Sequence, residues 1–321
     1  MAQLSLENLV RSARRALVVG VGGGGDVVGA LVTARFLEFC GLKFRLGGLS
    51  WERSVYDPLP GPRALEDVEG VRPLHRRAWL ANAETRTKSG VYFAESRMAA
   101  LRGEEILLID INGGVDGTVA GLEAALKEFQ ADLLVGVDVG GDSLAEGNEP
   151  GLRSPLADAV VLAAYAELER RGIATLWAMF GYGSDGELTV TEIEAALARL
   201  AGAGGLLGAW GLTQRMTEEL EEVIKSVHTE ASAIPVESAR GAWGERSMRQ
   251  DLRKVRLTPL TGLTFFISPT VLFETLSRPA RAVVGSASLE EANDALHQIG
   301  VKSELDLERE KFAREQGGTR G

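Results

Sequence analysis

Short apolar runs alternate along this chain with stretches whose apolar residues recur every three or four positions, the pattern of strands alternating with amphipathic helices. Residues 16–21, 43–49, 106–111, 133–137 and 174–180 read as five strands. Residues 26–39, 117–129, 155–171 and 191–201 read as the helices between and after them. Runs such as LLVGV and ATLWAMF are apolar on both faces, as strands covered by helices on both sides must be. The expectation is a Rossmann-like α/β fold: a doubly wound, mainly parallel sheet with right-handed crossovers. Residues 56–90 hold four of the ten prolines and many charges, and read as a long loop or small excursion over one end of the sheet.

The pattern changes after Gly205. Leu212, Met216, Leu220, Val223 and Val227 mark a long helix whose wet side carries Glu218, Glu219, Glu221 and Glu222. A basic stretch follows, with Arg240, Arg246, Arg249, Arg253, Lys254 and Arg256. Then come a strand-like segment at 264–267, a helix at 270–276, a strand at 281–284 and a helix at 289–299. The last 20 residues are charged and are expected to fray. Residues 1–205 thus read as a Rossmann-like core, and 206–321 as a helix and α/β segment completing the same sheet.

Composition narrows the function classes. The 321 residues are 45% hydrophobic and 25% charged, as in a soluble globular protein, and carry a formal charge of -10. That acidity argues against broad neutralisation of nucleic-acid phosphates. No apolar run reaches the ~20 residues needed to cross a bilayer, and residues 1–20 lack a signal-peptide layout, so a cytoplasmic location is expected. The single cysteine, Cys40, rules out an internal disulfide and a thiolate cluster. His75, His228 and His297 lack metal-ligand spacing, and Ser143 and Ser184 lie in no nucleophile elbow.

The 39 glycines, about 12% of the chain against an average near 7%, cluster where the strands end. Each of the five strands is followed by an acid, four of them with several glycines, whereas the opposite ends carry plain charged surface. Ligands of open parallel sheets bind at the carboxyl ends of the strands. The candidate ligand residues are therefore Gly22, Gly23, Gly24, Gly25 and Asp26 after the first strand, and Glu52 and Arg53 after the second. Asn112 and Gly113 follow the third, Gly140 and Gly141 the fourth, and Arg153 lies on a loop at the same edge.

Gly20, Gly22 and Gly25 satisfy a GxGxxG turn between strand and helix, which suits a phosphate or carboxylate, or a dinucleotide, or a purely structural turn. Glu52 is the candidate for a ribose contact, and the absence of a Walker lysine argues against a P-loop NTPase. Asp110, Asp138 and Asp142, with Asp116 nearby, are the candidate catalytic and metal-ligating residues. Their oxygen-only donors favour Mg²⁺ or Mn²⁺. The structural alternative is that these aspartates cap local turns. The basic stretch reads first as a solvated face, with reach to a phosphate as the alternative.

Residues 20–38 (GVGGGGDVVGALVTARFLE), 47–63 (GGLSWERSVYDPLPGPR) and 136–164 (GVDVGGDSLAEGNEPGLRSPLADAVVLAA) resemble the mainly archaeal DUF1152 family. The resemblance implies a Rossmann-like α/β protein and supplies no activity. A fainter likeness, in GGGD ending at Asp26 and GGD ending at Asp142, is to the glycine-and-acid loops of D-glutamate cyclase-like proteins. Three functions compete. The first is an enzyme, a hydrolase, transferase or lyase, binding a small anionic metabolite, phosphorylated or nucleotide-like, with a divalent cation. The second is an NAD(P)- or FAD-dependent oxidoreductase, which the lack of a catalytic His or a Tyr-x-x-x-Lys pair disfavours. The third is a non-catalytic ligand-binding or assembly protein, in which residues 202–228 make a homo-oligomer.

Overall fold

Alternating side chains of each central strand face two separate apolar layers, which is why the strands are apolar throughout. Ala16 and Val18 pack into one layer, Leu17 and Val19 into the other. A computed structural model describes residues 5–249 and 253–318. Helix α1 (Leu6–Ser12) leads into strand β1 (Arg15–Gly20), α2 (Asp26–Phe39) and β2 (Lys43–Leu49). The chain continues through β3 (Val68–His75), β4 (Ala78–Thr87), α3 (Ala94–Arg102), β5 (Ile106–Ile109), α4 (Gly114–Phe129) and β6 (Leu133–Val139). Next come α5 (Pro155–Arg170), β7 (Thr175–Phe180), α6 (Val190–Gly202), β8 (Leu206–Gly211), α7 (Gln214–Ser226) and α8 (Glu230–Ala239). The last elements are β9 (Gly244–Met248), β10 (Arg253–Leu257), β11 (Leu263–Ile267), α9 (Pro269–Thr275), α10 (Arg278–Ala282), α11 (Leu289–Gln298) and α12 (Glu304–Gly318).

Nine strands form one sheet in the order β3-β4-β5-β2-β1-β6-β7-β11-β8, and β9 and β10 form a separate antiparallel pair. The central five, β5-β2-β1-β6-β7, are parallel, and both flanks are antiparallel. The chain winds outward from β1 through β2 to β5, then returns to place β6 on the other side of β1. The winding direction therefore reverses between β1 and β6, which opens the crevice where ligands of such sheets bind. Helices α2 and α7 cover one face, and α4, α5 and α11 the other.

Several local expectations change. Residues 56–90 are not only loop: β3 and β4 form a hairpin that extends the sheet, with Ala78 paired to Ile109 and Trp79 to Leu108. Residues 281–284 are no strand, because Ser277 caps α10 and Pro279 lies in its first turn. The glycine-rich segment 202–211 ends in edge strand β8, paired to β11. The apolar stripe of α7 is spent inside the chain, where Met216, Leu220 and Val223 join Leu31 and Phe36 of α2. The expected frayed end is helix α12, with Leu305 buried and Glu304 bonded to α5; residues 319–321 lie outside the described part. No helix among the described residues is long and apolar enough to cross a membrane.

Candidate functional site

The glycine turn after β1 closes on itself. Gly22 N–H donates to Asp26 Oδ2 at 2.9 Å, and Gly24 N–H donates to the Trp51 carbonyl at 2.8 Å. Gly23 and Gly24 have φ of +74° and +56°, the left-handed region that glycine enters without strain. A Cβ on Gly24 would lie 2.8 Å from Arg53 Cγ, and one on Gly25 would lie 2.3 Å from Thr229 Cβ. The turn is thus narrow because Arg53 and the start of α8 press against it. The Asp26 carboxylate occupies part of the cradle that a pyrophosphate would need, and Glu52 is turned away to accept Ala94 N–H at 2.5 Å. Both placements weigh against a dinucleotide.

Across the crevice, the turn after β6 bends back because Asp138 organises it. Its carboxylate accepts Gly141 N–H and Ser143 N–H, each at 3.2 Å, and the Ser143 hydroxyl. Gly140, at φ +127°, is needed because a Cβ there would sit 2.3 Å from Asp185 Cγ. Asp138, Asp142 and Asp158 present oxygens within 4.8 Å of one another, as do Asp142, Asp185 and Glu187. All five acids are buried, Asp158 at 2% exposure and Asp185 at 3%. Both Asp158 oxygens and Asp185 Oδ2 have no hydrogen-bond partner.

Helix α5 explains how such a cluster is tolerated. Its N-terminus points into the acids, so its exposed N–H groups and dipole favour negative charge there. Glu304 accepts Leu156 N–H at 2.9 Å and Ala157 N–H at 2.8 Å. Glu187 accepts the N–H groups of Arg153 and Ser154 at 2.6 and 2.9 Å. The Ser154 hydroxyl caps nothing; it donates to Glu187 Oε1 at 2.5 Å, and Asp142 Oδ2 lies 3.1 Å from the same oxygen. Arg253 pairs with Glu187 at 2.8 Å and also holds the Asp185 carbonyl.

Burial raises most of these acids, and mutual repulsion adds to it. Asp185 rises to about 8, and Asp26 and Glu304 to about 7, each chiefly through desolvation. Asp142 and Asp158 rise well above the ordinary carboxylate range for the same reason, with neighbouring carboxylates as the second cause. Burial also pushes on Glu187, but Arg253 and the donors around Ser154 outweigh it and hold that acid low. The two triads are therefore unlike. Glu187 is already saturated by Arg253, Ser154 and backbone donors, whereas Asp158 is free on both oxygens. Of the two, the set Asp138, Asp142 and Asp158 is the better candidate for holding a cation, since three oxygens this close could close on one ion at roughly 2.1–2.4 Å.

Of the sequence candidates, Asp26, Asp138, Asp142, Gly140, Gly141 and Arg53 come together at the β1–β6 crevice. Asp110 does not join them, because β2 and β1 stand between β5 and β6, a separation of about 14 Å at ~4.8 Å per strand. Its carboxylate pairs with Arg77 at 2.5 Å and accepts Asn112 N–H at 2.8 Å; Gly113 packs against the same arginine. A cation shared by Asp110 with Asp138 and Asp142 is thus excluded by topology. Asp116 is exposed, and the exposed Arg153 side chain bonds to the carbonyls of Pro150 and Leu152. The basic stretch divides: Arg240, Arg246 and Lys254 pair with surface glutamates, while Arg253 turns inward to the cluster.

Asp185 and Glu187 are the acids that follow the fifth strand, without being among the candidate residues named above, and Asp158 and Glu304 lie outside the strand-end pattern. Asp158 had a signal, since it is the lone acid in the apolar helical run PLADAVVLAA. Glu304 had none, because its role depends on α12 docking beside α5. A cleft of about 560 Å³ lies on the α2–α7 face, lined by Arg35, Glu219 and Lys225. Arg35 and Lys225 there are paired to Glu219 and Glu222, so that cleft is ordinary ion-paired surface.

A family model described as "Protein of unknown function (DUF1152)" matches residues 17–312, nearly the whole chain. The chain belongs to this family. The match spans every element of the crevice, from β1 through Glu304, so the acid cluster lies wholly within the family's domain. No curated protein and no solved structure matches the chain.

Proposed function

We propose that this protein is an enzyme acting on a small anionic metabolite, with one divalent cation, Mg²⁺ or Mn²⁺, held by Asp138, Asp142 and Asp158. The observation that carries the reading is Asp158, a carboxylate buried to 2% exposure with neither oxygen partnered. Buried carboxylates without partners are costly, and a cation in the Asp138–Asp142–Asp158 cage offsets that cost. When bound, the cation would supply Lewis-acid polarisation of a substrate oxygen. Asp138 would be held as a ligand by Gly141 and Ser143, and Ser154 would keep Asp142 oriented toward the cage. Arg53, at the mouth of the crevice, would attract the anionic part of the substrate. Hydrolysis, group transfer and elimination all fit this arrangement.

The dinucleotide alternative finds no support in the positions of Asp26 and Glu52. Homo-oligomer assembly would use an unpaired edge of the sheet, β3 or β8, and solution mass tests it. The deciding experiment is calorimetric titration of Mn²⁺ into the protein and its Asp158→Asn variant. Saturable binding by the parent chain that the variant loses supports the reading. Equal binding, or none by either, rejects it.

A further inference from the structure

Two arginines at the crevice stand without the partner that a buried guanidinium normally has. Arg53 and Arg249 are each partly buried, yet among the described residues neither guanidinium has a carboxylate within ion-pairing distance. Their neighbour Arg253 is already committed to Glu187. A chain of contacts brings the two together. Arg53 lies along Gly24, and Gly25 abuts Thr229 at the start of α8. The next residue, Glu230, accepts Arg249 N–H at 3.0 Å. Arg249 takes φ +51°, a left-handed conformation unusual for a side chain of its size. The β9–β10 pair that carries it is fastened to α8 by Met248, Val255 and Leu257 packing on Ile234. Arg249 is held low, to about 10, by burial first and then by the like charges of Arg53 and Arg253, whereas for Arg53 burial is outweighed by Asp26, Glu187, Asp142 and Glu304, which raise it.

Crowded, unpaired guanidinium groups over a buried carboxylate cluster are a receptor for a dense anion, and their fork geometry matches phosphate. We infer that Arg53 and Arg249 together bind the phosphoryl group of the substrate, opposite the Asp138–Asp142–Asp158 cage. This inference rests on the proposed cation-dependent reading and narrows its substrate to a small phosphorylated compound. Arg253 contributes by position: fixed to Glu187, it anchors the β9–β10 pair above the acids.

The test is titration of inorganic phosphate, with and without Mn²⁺, into the parent chain and into Arg53→Gln and Arg249→Gln. Thermal unfolding of each apo variant, with Arg249→Lys as a charge-preserving control, separates misfolding from lost recognition. The expected result is saturable phosphate binding that each Gln variant weakens by about ten- to a hundredfold, with Mn²⁺ affinity not weakened. Arg249→Lys should retain part of the binding. Phosphate affinity that is absent in the parent chain, or unaltered in folded Gln variants, overturns the inference. So does malonate binding that displaces phosphate and shows the same arginine dependence, which would assign the receptor to carboxylates. Arginine-dependent phosphate binding with no Mn²⁺ binding would leave the receptor standing and remove the cation instead.

Discussion

Replacing Asp26 with Asn should change how stability responds to pH, and the size of the change follows from burial. Asp26 titrates near 7 in the folded chain against 3.8 for a free aspartate, because desolvation outweighs Arg53 and the Gly22 N–H. Between these values the folded protein holds a proton that the unfolded chain has lost. Stability attributable to Asp26 is therefore complete below the lower value, falls as pH rises through the window, and levels off above 7. Three pH units at about 1.4 kcal/mol each amount to about 4 kcal/mol lost by pH 8. Asn carries no charge to bury and can still accept from Gly22. The variant should thus equal the parent near pH 4 and exceed it by about 2–4 kcal/mol at pH 8. Urea denaturation in metal-free buffer at both pH values measures this directly. A stability difference independent of pH, or a variant weaker than the parent at pH 8, would refute the reasoning by showing that Arg53 and the glycine turn favour the charged form.

Other expectations test separate parts of the site. Cation binding to the raised acids should release protons, so Mn²⁺ affinity should climb from pH 6 to pH 8; calorimetry in buffers of different ionisation enthalpy detects the release. Arg77→Ala strands the buried Asp110 and should cost about 3–5 kcal/mol in denaturation, while Mn²⁺ affinity stays unchanged. Gly140→Ala forces a Cβ to within 2.3 Å of Asp185 Cγ at φ +127°, and should destabilise by about 3 kcal/mol with loss of Mn²⁺ binding. Ending the chain at Ser303 removes Glu304 from the N–H groups of Leu156 and Ala157; a lowered Tm and weakened Mn²⁺ binding are expected, and an unchanged Tm would mean that α12 is not needed to cap α5.

Periodicity alone was enough to read the five parallel strands, since a strand segment buried on both faces needs an apolar run such as ILLI or LLVGV. Glycines and acids at the strand ends likewise pointed to the rim where Asp26, Asp138 and Asp142 come together, because turns with positive φ and close backbone approach restrict the residue type locally. The antiparallel flanks were less legible. Residues 68–87 mix proline and charge with apolar positions because one side of an edge hairpin faces water.

Which acids share a site was decided by tertiary structure. Asp110 and Asp138 have the same local context, an acid ending an apolar strand, yet two intervening strands send the first to Arg77 and leave the second in the crevice. Asp158 belongs to a helix, Glu304 to a distant one, and Arg249 to a hairpin outside the main sheet; only packing brings them to the same rim. Local pattern is set by which face of an element must be dry, and that is written residue by residue. Electrostatic partnership depends on separations of a few ångströms between chain-distant groups, and strand order and helix docking set those separations.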